Sequence, residues 1–159
     1  MYNRPSKPKT ESFQQKENRS KFSRAVEYSR RLMADPLKKA EYKEIARQQN
    51  LPNAYTAAVT EFMRKPEIEI VDEGKTGNQR EEIRFTVRKK GFDVQWVEVK
   101  IVDESGKAIE EGRPKRESGY SWLFSSTINL RNEHKSQVII RVKDNTGQIV
   151  ENIFPGDQE

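Results

Sequence analysis

Nine cations crowd one stretch of this chain: Arg19, Lys21, Arg24, Arg30, Arg31, Lys38, Lys39, Lys43 and Arg47. Closely spaced Lys and Arg can neutralise phosphates, or dock an acidic protein surface, so these residues form the candidate basic interaction surface. A solvated helical face accounts for the same pattern. Residues 42–62 offer a partial helix-turn-helix, with Ile45-Ala46, a break and another helix. The match is poor, because Asn50 stands where the turn glycine belongs and few basic or amide side chains follow Asn53.

Catalytic chemistry has less to work with. The one histidine, His134, lies in the polar stretch Arg131–Ser136 and reads as a loop residue. A general base needs a positioned partner and a pocket, and no Gly-x-Ser-x-Gly elbow supplies a nucleophile. Acidic pairs fall in turns, at Asp72-Glu73, Asp103-Glu104 and Asp144-Asn145. Calcium needs six to eight converging oxygens. A sandwich order puts the first two turns at one end and Asp144 at the other, so they read as solvated turns and no metal is expected. Glu81-Glu82 and Glu110-Glu111 are adjacent and point to opposite faces of a strand, which removes them as a glycosidic pair. Gly74-Lys75-Thr76-Gly77 lacks the spacing of a phosphate loop. No cofactor and no enzymatic activity are expected.

The elements that must position these residues divide at Lys65-Pro66. Residues 1–66 hold 15 Lys/Arg against 7 Asp/Glu, a net of +8, whereas residues 67–159 net −3. Such asymmetry bears on partners rather than on fold. Residues 1–19 read as a disordered basic tail, being polar and Pro-containing. Residues 20–65 form a helical segment of three short helices, near 20–34, 36–49 and 53–64. Phe22, Ala25, Val26, Ser29, Leu32 and Met33 follow helical spacing. Asp35-Pro36 ends one helix and starts the next, and Asn53 caps the third.

Beyond Pro66 the period becomes two. Ile83, Phe85 and Val87 alternate with Arg84, Thr86 and Arg88, and Val97, Val99 and Ile101 repeat the pattern. Val94 and Trp96 precede them in the opposite phase, which predicts a bulge near Trp96–Val97. Asp103–Gly106 reads as a turn leading to a short strand around Lys107–Glu111, and Asp144–Gly147 has hairpin-turn composition. About seven strands without intervening helices predict an antiparallel sandwich of immunoglobulin or fibronectin-III type over 66–155, followed by a disordered tail at 156–159. A small open barrel is the rival. The fold class is therefore α+β. The expected core is Ile83, Phe85, Trp96, Val99, Ile101, Trp122, Phe124, Ile140 and Val142. Phe92, a large apolar residue in a polar turn, is expected to pack near Phe62 or Met63.

Ala54-Tyr55, Val59, Phe62, Pro66-Glu67-Ile68, Gly91–Val94, Val97–Ile101, Asp103–Gly106 and Ile109–Gly112 together resemble a family of small uncharacterised bacterial proteins. In that family a helical N-terminal segment runs into an Ig-like β-domain. The resemblance spans roughly 22–154 and implies the fold. It carries no activity, and the family's Asp-Asp-Phe is Lys90-Gly91-Phe92 here.

The chain has no cysteine, which excludes disulfides and thiolate chemistry. It has no run of about 18 apolar residues, so nothing spans a membrane as a helix. The N-terminus, Met-Tyr-Asn-Arg-Pro, does not open a signal peptide, and a cytoplasmic location is expected. The function expected is a non-enzymatic interaction or structural accessory module with an unknown protein partner. Nucleic-acid binding through the basic N-terminal helices is the alternative, and an enzyme of unknown type comes third.

Overall fold

A computed structural model describes residues 10–75, 81–130 and 135–156, without the side chains of 72–75. The chain divides into two compact units, Met1–Met63 and Arg64–Glu159. The described residues form three helices followed by eight strands.

Helix α1 spans Phe13–Ala34. It starts seven residues before the expected boundary, so residues 13–19 are helical and not part of a disordered tail. The cause is local. Ser12 Oγ accepts from Gln15 N (3.2 Å), while Gln15 Oε1 accepts from Ser12 N (2.8 Å). This capping box satisfies two of the donors that a helix start leaves open. Burial contributes little there, since Phe13 is 82% exposed.

Asp35 closes α1 and caps α2 (Pro36–Gln48), its Oδ1 accepting from Leu37 N at 2.9 Å. Asn50, at φ 54°, ends α2 in the left-handed conformation. Leu51 N then reaches back to Ala46 O (2.8 Å) and Asn50 N to Arg47 O (3.4 Å). That is a Schellman ending, with asparagine in the place usually taken by glycine. Asn53 Oδ1 receives Thr56 N (2.8 Å) as α3, Ala54–Met63, begins.

The helical core is small-residue packing: Ala46, Ala54, Ala57 and Ala58 around Tyr42, with Leu32, Met33, Ile45 and Leu51 at its margin. Phe62 lies against the Tyr28 ring, centroids 5.3 Å apart. The buried Glu61 carboxylate accepts a short hydrogen bond from Tyr42, whose hydroxyl is also 3.3 Å from that of Tyr28.

The second unit is a sandwich of two antiparallel sheets. Its strands are β1 (Glu67–Lys75), β2 (Glu81–Arg88), β3 (Val94–Val102), β4 (Ala108–Gly112), β5 (Lys115–Ser118), β6 (Ser121–Ser126), β7 (Gln137–Asp144) and β8 (Ile149–Pro155). One sheet runs β1-β2-β6-β5 and the other β4-β3-β7-β8. This is the strand order of a constant-type immunoglobulin sandwich with one strand added beside β3. The inward stripes Ile83, Phe85, Val87 and Phe124 meet Val97, Val99, Ile101, Val138, Ile140 and Val142. Trp122 packs at the edge of this core beneath the Arg116 guanidinium, 5.5 Å from the ring centroid.

Trp96 departs from the expected core. The register slips between Val94 and Trp96, so Trp96 joins Glu98 and Lys100 on the outward face and is half-buried. Strand β5, Lys-Arg-Glu-Ser, is exposed throughout and exists by pairing with β6. At the other end of the chain, Gly156 is buried and does not belong to a free tail. Its N–H donates to Ser136 O at 2.8 Å. A Cβ at position 156 would collide with Ser136 Oγ and sit 2.9 Å from that carbonyl oxygen.

A candidate anion-binding groove

The cations expected to form the basic surface all lie on α1 and α2, but they do not act as one set. Lys21 is half-buried and donates to Met63 O at 3.2 Å, where α3 ends, a favourable place for a positive charge. Arg19 pairs with Glu11 (2.7 Å), Lys38 with Glu41 (3.0 Å) and Arg47 with Glu44 (2.5 Å). Arg24, Arg30, Arg31, Lys39 and Lys43 are exposed. The last two, with Arg47, occupy one i, i+4, i+8 row of α2.

A denser arrangement occurs at one end of the sandwich. A groove of about 510 Å³ is lined by Arg64, Lys65, Glu67, Arg88 and Lys90. Glu67 and Arg88 stand directly opposite each other across β1 and β2. Both are exposed, because Ile68 and Val87 take the inward phase of those strands. The turn after β2 supplies Lys90, and the two residues before Pro66 supply Arg64 and Lys65.

Two of these cations lie over aromatic rings. The Arg88 guanidinium is 5.6 Å from the Tyr120 centroid, and that of Arg64 is 5.7 Å from Phe92. Arg64 also donates to Lys90 O at 2.6 Å. Stacking holds a guanidinium flat and fixes the direction of its donors. Phe92 is thus half-buried in its own unit, with Lys89 Nζ 5.9 Å from its ring as well.

Lys89 explains why the flanking cations are fixed. It continues the inward stripe Ile83, Phe85, Val87, just as Asp144 continues Val138, Ile140, Val142 from the facing sheet. The two side chains are fully buried and meet at 2.9 Å. Asp144 was expected to be a solvated turn residue, and this burial corrects that reading. Its other oxygen, Oδ1, accepts from Thr146 N (2.9 Å), Thr146 Oγ1 (2.6 Å) and Gln148 N (3.1 Å). One carboxylate therefore closes the β7–β8 hairpin and anchors the β2–β3 turn. Phe92 N completes that turn on Lys89 O at 2.9 Å.

Several of the other acids in turns and strands hold structural hydrogen bonds. Asp103 wires the β3–β4 turn in the same way, accepting from Ser105 N (2.9 Å), Ser105 Oγ (2.6 Å) and Lys107 N (3.0 Å). Those hydrogen bonds, led by Ser105, hold its carboxyl below the ordinary range. Glu110 receives Ser126 Oγ (2.5 Å) and Thr127 N (3.1 Å), and Glu81 receives Leu130 N (2.7 Å). Partial burial works to raise the Asp93 pKa, but hydrogen bonds from Arg116 and from Val94 N–H outweigh it and the net shift is downward. Among the described residues no three His, Cys, Asp or Glu side chains group as metal ligands. His134 and the side chains of Asp72 and Glu73 lie outside the described residues.

Sequence reasoning missed the groove. The run Arg88-Lys89-Lys90 and the pair Arg64-Lys65 were visible, but joining them requires the β1–β2 register. No protein-family model matches the chain. No curated protein sequence matches it either. Among solved structures, an engineered protein crystallised at 1.98 Å is 18% identical over 57% of this chain, with a TM-score of 0.41. CopC from Methylosinus trichosporium OB3b is 19% identical over 55% of this chain and 84% of its own, with a TM-score of 0.35. An endo-β-1,4-mannanase from Thermotoga petrophila is 11% identical over 64% of this chain, with a TM-score of 0.41. The chain spans only 20% of the engineered protein and 22% of the mannanase. Likenesses this low carry no argument.

Proposed function

We propose that this chain is a non-enzymatic interaction module that docks an acidic segment of a partner protein. The observation supporting this reading is the groove itself, four cations around a single carboxylate, two of the cations laid on aromatic rings. That side-chain set suits holding an anion. A cytoplasmic location and kinship with the small bacterial family belong to the same proposal. No helix among the described residues is long and apolar enough to cross a membrane.

The test is binding of a fluorescent Asp/Glu-rich peptide to the full chain. Arg88→Ser with Lys90→Ser should weaken binding about tenfold or more, because each neutralised contact removes a charge-assisted hydrogen bond. Salt should weaken it too. A second reading, nucleic acid on the helices, rests on the exposed Arg24, Arg30, Arg31, Lys39 and Lys43. It takes precedence if an oligonucleotide binds tighter than the peptide and if glutamines at those five positions abolish binding while the groove variant does not.

A further inference from the structure

We infer that the groove's ligand is a phosphorylated serine or threonine side chain of the partner, an inference that rests on the interaction-module reading above. Charge balance is the first reason. Arg64, Lys65, Arg88 and Lys90 against Glu67 leave an excess of three positive charges. A single carboxylate offsets one of them, whereas a phosphomonoester carries about −1.5 to −2 at neutral pH and three acceptor oxygens.

Geometry is the second reason. The cations come from three backbone segments, the lead into β1, the end of β2 and the β2–β3 turn, and they line one hollow. Donors arriving from several directions suit a tetrahedral anion better than a planar one. Arginine beside lysine combines directed donors with mobile point charges.

The third reason separates one anchored dianion from a polyanion. Beyond the groove the outward side of the same sheet carries acid. Glu69 follows on the outward side of β1, and Arg84 is engaged by Glu82 (3.3 Å) and Glu117 (3.6 Å). A nucleic-acid backbone running along this face would meet carboxylates after the first phosphates. A single phosphoryl group would not.

The experiment titrates the isotopically labelled full chain with three short, otherwise uncharged peptides that differ only in a central phosphoserine, glutamate or serine. The phosphoserine peptide should shift the amides of Arg88 and Lys90 and bind at least about tenfold tighter than its glutamate twin at pH 7. That advantage should shrink on acidification below about pH 6, where the phosphate becomes a monoanion. Arg88→Ser with Lys90→Ser should remove it, and both side chains are exposed, so the fold is kept. Equal affinity for phosphoserine and glutamate, both shifting the groove amides, would overturn phosphate recognition and leave the acidic-segment reading standing. Silence at the groove with all three peptides and with the Asp/Glu-rich peptide would overturn both. Displacement of the phosphopeptide by an RNA oligomer or by anionic-lipid vesicles at matched phosphate concentration would also overturn it.

Discussion

Lys89→Met tests the claim that one buried ion pair holds the groove end of the sandwich together. The wild-type ammonium is fully buried and 2.9 Å from Asp144 Oδ2. Methionine fits a similar volume but leaves that oxygen facing the core, with only Oδ1 still supplied by the hairpin's own donors. Removing one partner of a buried pair costs about 3–5 kcal/mol. The hairpin hydrogen bonds already delocalise the carboxylate's charge, so the lower half of that range is expected here. Against a total of about 5–15 kcal/mol for a typical domain, the loss should be plain in urea unfolding. Both tryptophans, Trp96 and Trp122, lie in the sandwich, so their fluorescence reports that unit alone.

The decisive comparison is the double variant. Asp144→Asn keeps an oxygen for Thr146 and Gln148 but strands the Lys89 charge, and should cost a similar amount. Combining it with Lys89→Met removes both charges together. The double variant should recover to within about 1–2 kcal/mol of wild type, because a buried pair contributes little net stability over a well-packed neutral replacement. Strictly additive losses, or a Lys89→Met cost below about 1 kcal/mol, would show that the pair is not the tie described.

Three further outcomes follow from the geometry. Burial, and then the hydrogen bond to Glu61, push the Tyr42 phenol well above its ordinary value. Its contribution is therefore intact below pH ~10, where the unfolded phenol is still protonated, and is lost as pH rises past that point. The helical unit should lose up to about 1.4 kcal/mol per pH unit from this proton. Tyr42→Phe should flatten the slope measured by helical circular dichroism between pH 9 and 11, whereas an unchanged slope would refute the assignment. Ser12→Ala should cost about 0.5–2 kcal/mol of local helix stability, seen as faster amide exchange over residues 13–19 with α2 unaffected. Gly156→Ala should destabilise the sandwich by about 1–3 kcal/mol through overpacking against Ser136, and Ser136→Gly in the same chain should relieve part of it.

Much of the architecture could be read because its causes are local. The period-two stripes placed β2 and β3 and most of the core. Asp103–Gly106 and Asp144–Gly147 announced two turns that are built alike, each with glycine at positive φ. The polarity of residues 1–19 hid the capping box Ser12–Gln15, which the sequence reading missed. Strand β5 has no apolar alternation, so only its partner reveals it. Trp96 misled because the bulge falls before it, between Val94 and Trp96, and not after it at Trp96–Val97. Lys89 and Asp144 sit in the inward phase of stripes already assigned to the core. Extending each stripe by one residue would have flagged them as a buried opposite-charge pair.

The groove was hidden for a different reason. Segment totals drew attention to the helices, where residues 1–66 net +8, and away from the sandwich unit, which nets −1 once Arg64 and Lys65 are counted with it. Yet a helical surface spreads its cations around the solvent side, and here two of them are tied to acids one turn away. A sheet end concentrates them, because strand register and a tight turn bring residues distant in sequence to one place. Binding energy depends on that convergence and on how firmly it is held. Here a buried lysine fixes the backbone between Arg88 and Lys90, and an aromatic ring backs each arginine. A domain of negative balance can therefore present a strongly cationic site, and the charge that makes the site possible is the one that never reaches solvent.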